Sequence, residues 1–151
     1  MKPPPSEVQV HALLTCDARR LTREWADEQF NPVGEYKTIF TVSRSEVHRY
    51  VRTNGIPKGA WSDTPSSADG LYMVENDGRF SVYLQDRGHE IAGNTFRTRR
   101  EAEIALTNWL LANSGTGLFP TTHRETGATS PLQRMRSAVT RFWWRRVQWW
   151  L

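Results

Sequence analysis

The stretch LYMVENDGRFSVYLQ, residues 71–85, decides the fold because it predicts a β-hairpin. Two runs rich in aromatic and β-branched residues flank Asp77-Gly78, and this dipeptide is a strong signal for a two-residue hairpin turn. In the second run the side chains alternate, with Phe80, Val82 and Leu84 on one face and Ser81, Tyr83 and Gln85 on the other. Such alternation predicts an antiparallel sheet that the rest of the fold covers on one face.

The residues after the hairpin predict more sheet and then a helix. DRGHEIAGN, residues 86–94, indicates a second turn with a short third strand at 90–92. Thr98 and Glu101 have the spacing of a capping box, which marks a helix start. The helix that follows has one apolar stripe, formed by Ala102, Ala105, Leu106, Trp109 and Leu110. We expect the helix to end near Gly115.

The N-terminal segment predicts a broken helix. Ser6 and Gln9 have capping-box spacing, so a helix is expected to begin there. The helix breaks near residues 15–17, where Asp17 can cap a second piece. A short strand through Val8 and Val10 is the alternative, because these residues alternate with polar ones.

The segment between this helix and the hairpin predicts a strand, a helix and a loop. EYKTIFTV, residues 35–42, is rich in aromatic and β-branched residues and predicts a strand. Ser43 and Glu46 form another capping box, and the helix it opens is expected to end at Gly55. Residues 58–70 have a loop composition. The fold class is therefore α+β, with helices on one face of a small antiparallel sheet.

Composition divides the chain into three parts. Residues 6–112 form the α+β body, residues 113–130 form a Gly/Thr/Ser-rich linker, and residues 131–151 form a basic amphipathic helix rich in Trp and Arg. This last segment has five arginines and no Asp or Glu, whereas residues 1–130 hold 15 basic and 16 acidic groups. Because the positive charge belongs to the tail, the body gives no reason to expect nucleic acid as a partner.

The tail is expected to contact a membrane or a partner through Phe142, Trp143, Trp144, Arg145, Arg146, Trp149 and Trp150. Two interpretations stand equal: an amphipathic helix on an anionic membrane surface, and docking on the body or on a protein partner. Binding of single-stranded nucleic acid and a disordered or out-of-frame end are two less favoured interpretations. No run of about 20 apolar residues predicts a transmembrane helix. We expect a cytoplasmic protein, held at the inner face of the membrane if the tail binds lipid.

The sequence predicts binding rather than catalysis. Its four histidines lie in separate segments and no catalytic spacing occurs, so no catalytic residue, no metal site and no cofactor is predicted. Trp61 lies in a polar loop near Asp63 and Asp69, a setting typical of an interface anchor, although Trp61 can instead fold back onto the sheet. With Tyr83 of the hairpin these residues are the candidate partner-binding set. An enzyme whose site is assembled from distant loops is a further alternative.

Residues 44–112 resemble a family of small bacterial immunity proteins from polymorphic toxin systems. The likeness lies in a short helix followed by NGIP, a loop, a hairpin whose second strand reads FSVYLQDRG, and a helix entry at Phe96, Thr98 and Ala102. The resemblance implies a non-catalytic module that binds a cognate toxin and blocks it. It implies no catalytic residue, since such proteins inhibit by occupying a surface. The linker and the tail depart from this pattern.

Overall fold

The computed structural model describes residues 2–26 and 32–120, and these residues form an α+β fold. The chain order places four helices before a three-stranded sheet and one helix after it. The elements are α1 Ser6–Leu14, α2 Ala18–Trp25, α3 Pro32–Ile39, α4 Arg44–Asn54, β1 Gly70–Asn76, β2 Arg79–Asp86, β3 His89–Phe96 and α5 Arg99–Ala112.

The sheet is an antiparallel meander in the order β1-β2-β3, and it confirms the predicted hairpin. Asp77 and Gly78 both have positive φ, at 50° and 71°, as a type I′ turn requires. The register places Leu71 opposite Leu84, Tyr72 opposite Tyr83 and Met73 opposite Val82.

The third strand is longer than the sequence indicated. Arg87 and Gly88 repeat the pattern of positive φ, at 54° and 77°, so β2 turns directly into β3. The register between the two strands shifts at Leu84/Gln85. Residues 89–96 therefore pair as a strand, where only residues 90–92 were expected.

Helix α5 covers one face of the sheet. Its capping box is present, because Thr98 Oγ1 accepts a hydrogen bond from Glu101 N at 3.2 Å and Glu101 Oε2 accepts one from Thr98 N. Four of the five residues of the predicted stripe are buried, and Ala105 is half-buried. The core below α5 consists of residues on one face of the strands, which are Leu71, Met73, Val82, Leu84 and Ala92. Helices α1 and α4 pack against α5 and complete the helical layer.

The predicted strand at residues 35–42 is wrong, because the first five of these residues form the C-terminal part of α3. Tyr36 and Phe40 are four residues apart, and their ring centroids lie 6.1 Å from each other, as neighbouring turns of a helix allow. Ile39 and Phe40 are buried in the core. The apolar spacing thus fits a helix as well as a strand, and tertiary burial overrides the β propensity of Ile39 and Phe40.

The helix at the N-terminus is confirmed, but the predicted Ser6 capping box is wrong. The residue before the helix is Pro5, and no side chain caps it. Gln9 is instead 1% exposed, and its side-chain amide forms hydrogen bonds with the backbone of two other segments. Its Nε2 donates to Pro4 O at 2.7 Å, while its Oε1 accepts from Thr41 N at 2.8 Å and Val42 N at 3.2 Å.

The break between α1 and α2 occurs where it was predicted. Cys16 has a φ of 62°, which ends α1, and α2 begins after Asp17. The expected cap by Asp17 is wrong, because its carboxylate makes no cap bond and pairs with Arg20 at 3.0 Å. Helix α4 has both capping-box bonds between Ser43 and Glu46, and it ends at Gly55 as predicted.

The first residues of the predicted linker pack against the body. Ser114 is buried, and Phe119 joins the core with 7% of its surface exposed. Residues 121–130 of the linker and the whole segment 131–151, with its predicted helix and seven contact residues, lie outside the described residues. Among the helices that are described, none is long and apolar enough to cross a membrane.

Candidate functional site

The face of the sheet opposite α5 carries aliphatic, polar and aromatic side chains. It includes Val74, Ser81, Tyr83 and Thr95, and we call these four residues the tyrosine face. Ser81 Oγ and Thr95 Oγ1 lie 3.3 Å apart across β2 and β3. The register of the sheet determines which of these side chains are neighbours across the strands, so their arrangement on the surface is fixed.

A stacked pair of tyrosines forms the centre of this region. The rings of Tyr72 and Tyr83 lie 5.2 Å apart with an interplanar angle of 16°. Tyr72 is 3% exposed, and its hydroxyl donates to Ala68 O at 2.6 Å. Tyr83 is half-buried, so its ring remains partly open to solvent.

The loop before β1 folds over Tyr72 and holds it in place. Gln85 Nε2 donates to Ser66 O at 2.7 Å and to Ala68 O at 2.8 Å. Asp69 accepts a short hydrogen bond from the backbone N–H of Arg87 through its Oδ1, which ties the end of this loop to the β2–β3 turn. The loop therefore covers Tyr72 and leaves Tyr83 at the border of the covered area.

Glu90 places a carboxylate beside Tyr83. Its side chain lies over Gly93, where a Cβ atom would collide with Glu90 and would come within 2.8 Å of Tyr83 Cβ. Because Gly93 has no side chain, the Glu90 carboxylate can lie close to the backbone at this position. Burial raises the pKa of Tyr83, and the neighbouring Tyr72 and Glu90 raise it further. The tyrosine face thus has one carboxylate, that of Glu90, next to its aromatic centre.

The other two predicted residues, Trp61 and Asp63, flank Ser62, which bridges to Tyr72 at the edge of β1. Trp61 packs against the core, on the α5 side of the sheet, and its Nε1 donates to Pro57 O at 2.9 Å. Lys58 Nζ lies 3.8 Å from the centre of the Trp61 ring and also pairs with Asp63. The hydrogen bond from Lys58 lowers the pKa of Asp63. Trp61 and Asp63 therefore form a cluster with Lys58, while Asp69 is bonded to the β2–β3 turn and Tyr83 stacks on Tyr72.

A second polar cluster, which sequence patterns did not predict, lies on the helical side. Asn108 Oδ1 accepts from Arg44 Nη1 at 2.9 Å and lies 2.9 Å from His48 Nε2. Because an amide oxygen can only accept, His48 Nε2 is the donor in this contact. The two partners are 60 and 64 residues from Asn108 in the chain, so no local motif could have indicated the cluster.

The fold and this surface define the class of the protein: an α+β domain with helices on one sheet face and a surface with a stacked tyrosine pair on the other. Comparisons of the chain with protein-family models, with curated proteins and with solved structures gave no match. In residues 2–26 and 32–120, no group of three or more His, Cys, Asp or Glu side chains is placed to hold a metal ion.

Proposed function

We propose that this protein is a non-catalytic binding module of the immunity or inhibitor type, which blocks a cognate bacterial toxin by covering its surface. The observation that carries this proposal is the half-buried Tyr83, stacked on Tyr72 at the centre of the tyrosine face. A tyrosine held in this way offers a large contact area with few rotatable bonds, which is why tyrosine is frequent among interface anchors.

The rim of the face supports a particular kind of contact. Glu90 brings a carboxylate next to the aromatic centre, and Ser81 and Thr95 add hydroxyl groups. Interfaces commonly combine an apolar or aromatic centre with a polar rim. The Glu90 carboxylate favours a Lys or Arg side chain on the partner, since complementary charge directs association.

Co-expression with the product of the neighbouring gene tests the proposal. We expect the wild-type chain to relieve toxicity and Tyr83→Ala to weaken toxin binding roughly thirtyfold, the typical effect of losing an interface anchor. Tyr83→Phe keeps the ring and is expected to retain most of the binding. Ile104→Ser is the matched control, because Ile104 is 39% exposed and lies on α5, on the other side of the sheet.

Two results would contradict this function. If no neighbouring gene product is toxic, or if toxicity persists with the wild-type chain, the immunity role fails. If Tyr83→Ala is folded by circular dichroism and binds the toxin as well as Ile104→Ser does, the tyrosine face is not the contact surface.

The tail supports a second candidate function, peripheral membrane association. Residues 131–151 combine five arginines with four tryptophans and no acidic residue. Arginine favours anionic headgroups and tryptophan favours the interfacial region of a bilayer. Flotation of the full chain with anionic liposomes, compared with a chain ending at Pro120, tests this function. Truncation after Pro120 keeps the buried Phe119, which an end at Gly115 would remove. Equal flotation of both chains would exclude the tail as the anchor.

A further inference from the structure

A cleft of about 460 Å³ lies on the helical side of the molecule, between the end of α3, the start of α4 and the segment after α5. Its lining combines apolar and cationic side chains, which are Lys37, Phe40, Val42, Ser43, Arg44, Leu118, Phe119 and Pro120. None of these residues belongs to the tyrosine face. A volume of this size is in the usual range of ligand sites, about 300–1,000 Å³.

The cleft holds a cation in a fixed position. Arg44 donates from Nη1 to Asn108 Oδ1 at 2.9 Å and from Nη2 to Pro120 O at 2.8 Å. Its guanidinium also lies 6.0 Å from the centre of the Phe119 ring. Two bonds leave further N–H donors of the guanidinium for a ligand, since arginine has five.

The charge of the cleft has no carboxylate partner in the described part of the chain. The ion pairs found there involve Arg20, Lys58 and Arg99, and none includes Lys37 or Arg44. Lys37 is exposed at the rim, whereas Phe40 and Phe119 are 4% and 7% exposed. An occupant that fits both features has a carboxylate next to an apolar group.

We propose that this cleft is a second docking site, which takes an acidic segment of a protein partner in which Glu or Asp adjoins a large apolar side chain. The carboxylate pairs with Arg44 and Lys37, and the apolar side chain rests against Phe40 and Leu118. The chain's own segment 131–151 has the wrong charge for this role, because it carries five arginines and no acidic side chain. The inference rests on the proposed function only in taking a protein as the occupant.

Nuclear magnetic resonance of the ¹⁵N-labelled full chain tests the proposal with a defined peptide. The probe is acetyl-Ser-Glu-Phe-Ser-amide, and its counterpart has Gln in place of Glu. We expect the Glu peptide to shift the amide signals of residues 40–44 and 118–119 in a saturable way. The Gln peptide should bind roughly tenfold more weakly, because it loses the charge-assisted hydrogen bonds.

Two variants locate the binding. Lys37→Gln changes an exposed side chain and should weaken the Glu peptide about threefold, the scale of an exposed ion pair. Arg44→Gln should weaken it further, although this variant also removes the bonds to Asn108 and Pro120. Arg52→Gln, an exposed arginine at the other end of α4, is the matched control and should change nothing.

Three outcomes overturn the proposal. The first is the absence of localised shifts, the second is equal binding of the Glu and Gln peptides, and the third is tighter binding of octanoate than of the Glu peptide. The third would make the cleft a site for free hydrophobic acids. If only the inference is wrong, the chain relieves toxicity but the Glu peptide does not bind in the cleft. If only the proposed function is wrong, the chain binds the Glu peptide but does not relieve toxicity.

Discussion

Replacing Gln9 with Leu tests how the helical layer is held together. The buried amide of Gln9 forms hydrogen bonds with three backbone groups, which are Pro4 O, Thr41 N and Val42 N. Leucine fills a similar volume but leaves these groups without a partner. The bonds to Pro4 O and Val42 N are buried, and an unsatisfied buried group costs about 1–3 kcal/mol.

The expected loss follows from these two groups. Their combined penalty is about 4 kcal/mol at mid-range, and extra apolar burial by leucine offsets about 1 kcal/mol. We therefore expect the free energy of unfolding to fall by about 3 kcal/mol and Tm to fall by about 10 °C. Urea denaturation followed by circular dichroism measures the first quantity, and thermal denaturation measures the second.

Matched variants separate this mechanism from a general effect on α1. Glu7→Leu makes the same kind of change at an exposed position of the helix and should alter stability by less than about 0.5 kcal/mol. Gln9→Glu keeps an acceptor for Thr41 and Val42 but at neutral pH loses the donor to Pro4 O. Its deficit relative to wild type should shrink on acidification, because a protonated carboxyl can donate again. A loss below about 1 kcal/mol for Gln9→Leu would refute the reasoning.

Three further predictions concern single residues. Gly93→Ala should lower the free energy of unfolding by about 1–3 kcal/mol in urea denaturation, because the new Cβ meets Tyr83 Cβ and Glu90; an unchanged midpoint would contradict this. Hydrogen bonds from the Ser43 hydroxyl and backbone N–H lower the pKa of Glu46. Because the pKa of Glu46 is lower in the folded than in the unfolded chain, its contribution to stability is present above the unfolded pKa and is lost as the pH falls. The Tm of wild type should therefore drop more on acidification than the Tm of Glu46→Gln. Burial raises the pKa of the Cys16 thiol to about 12, so a thiol reagent at pH 8 should react at least about tenfold faster in denaturant than with the folded chain, and equal rates would show that the thiol is accessible.

Several elements with local signals were predicted correctly from the sequence, although the local signals for caps at Ser6 and Asp17 were wrong. The Asp77-Gly78 turn and the capping boxes at Ser43 and Thr98 each involve residues within a few positions of one another, and all three are present. The segment 35–42 differs, because its apolar residues fit both periodicities. Its helix depends on burial of Ile39 and Phe40 by distant parts of the chain, which a local pattern does not contain.

The same distinction holds for the candidate site. Alternation along β2 placed Tyr83 on the face away from the core, and that part needed only local information. The covering of Tyr72 depends on bonds from Gln85 to Ser66 and Ala68, which are 19 and 17 residues away. The cleft depends on contacts of Arg44 with residues 64 and 76 positions along the chain. Sequence patterns therefore identified side chains on a face but not the loops that expose or cover them.

Residues 1–130 are near-neutral overall but carry charged groups on two separate surfaces. Glu90 places a carboxylate beside Tyr83 of the tyrosine face, whereas Lys37 and Arg44 line the cleft on the helical side. Helix α5 covers the opposite face of the sheet and also carries Asn108, which positions Arg44, so the two surfaces belong to opposite layers of one fold. A partner that uses both must present basic groups to the sheet and an acidic segment to the helices. Salt should then weaken both contacts, because each depends on complementary charge at an exposed rim.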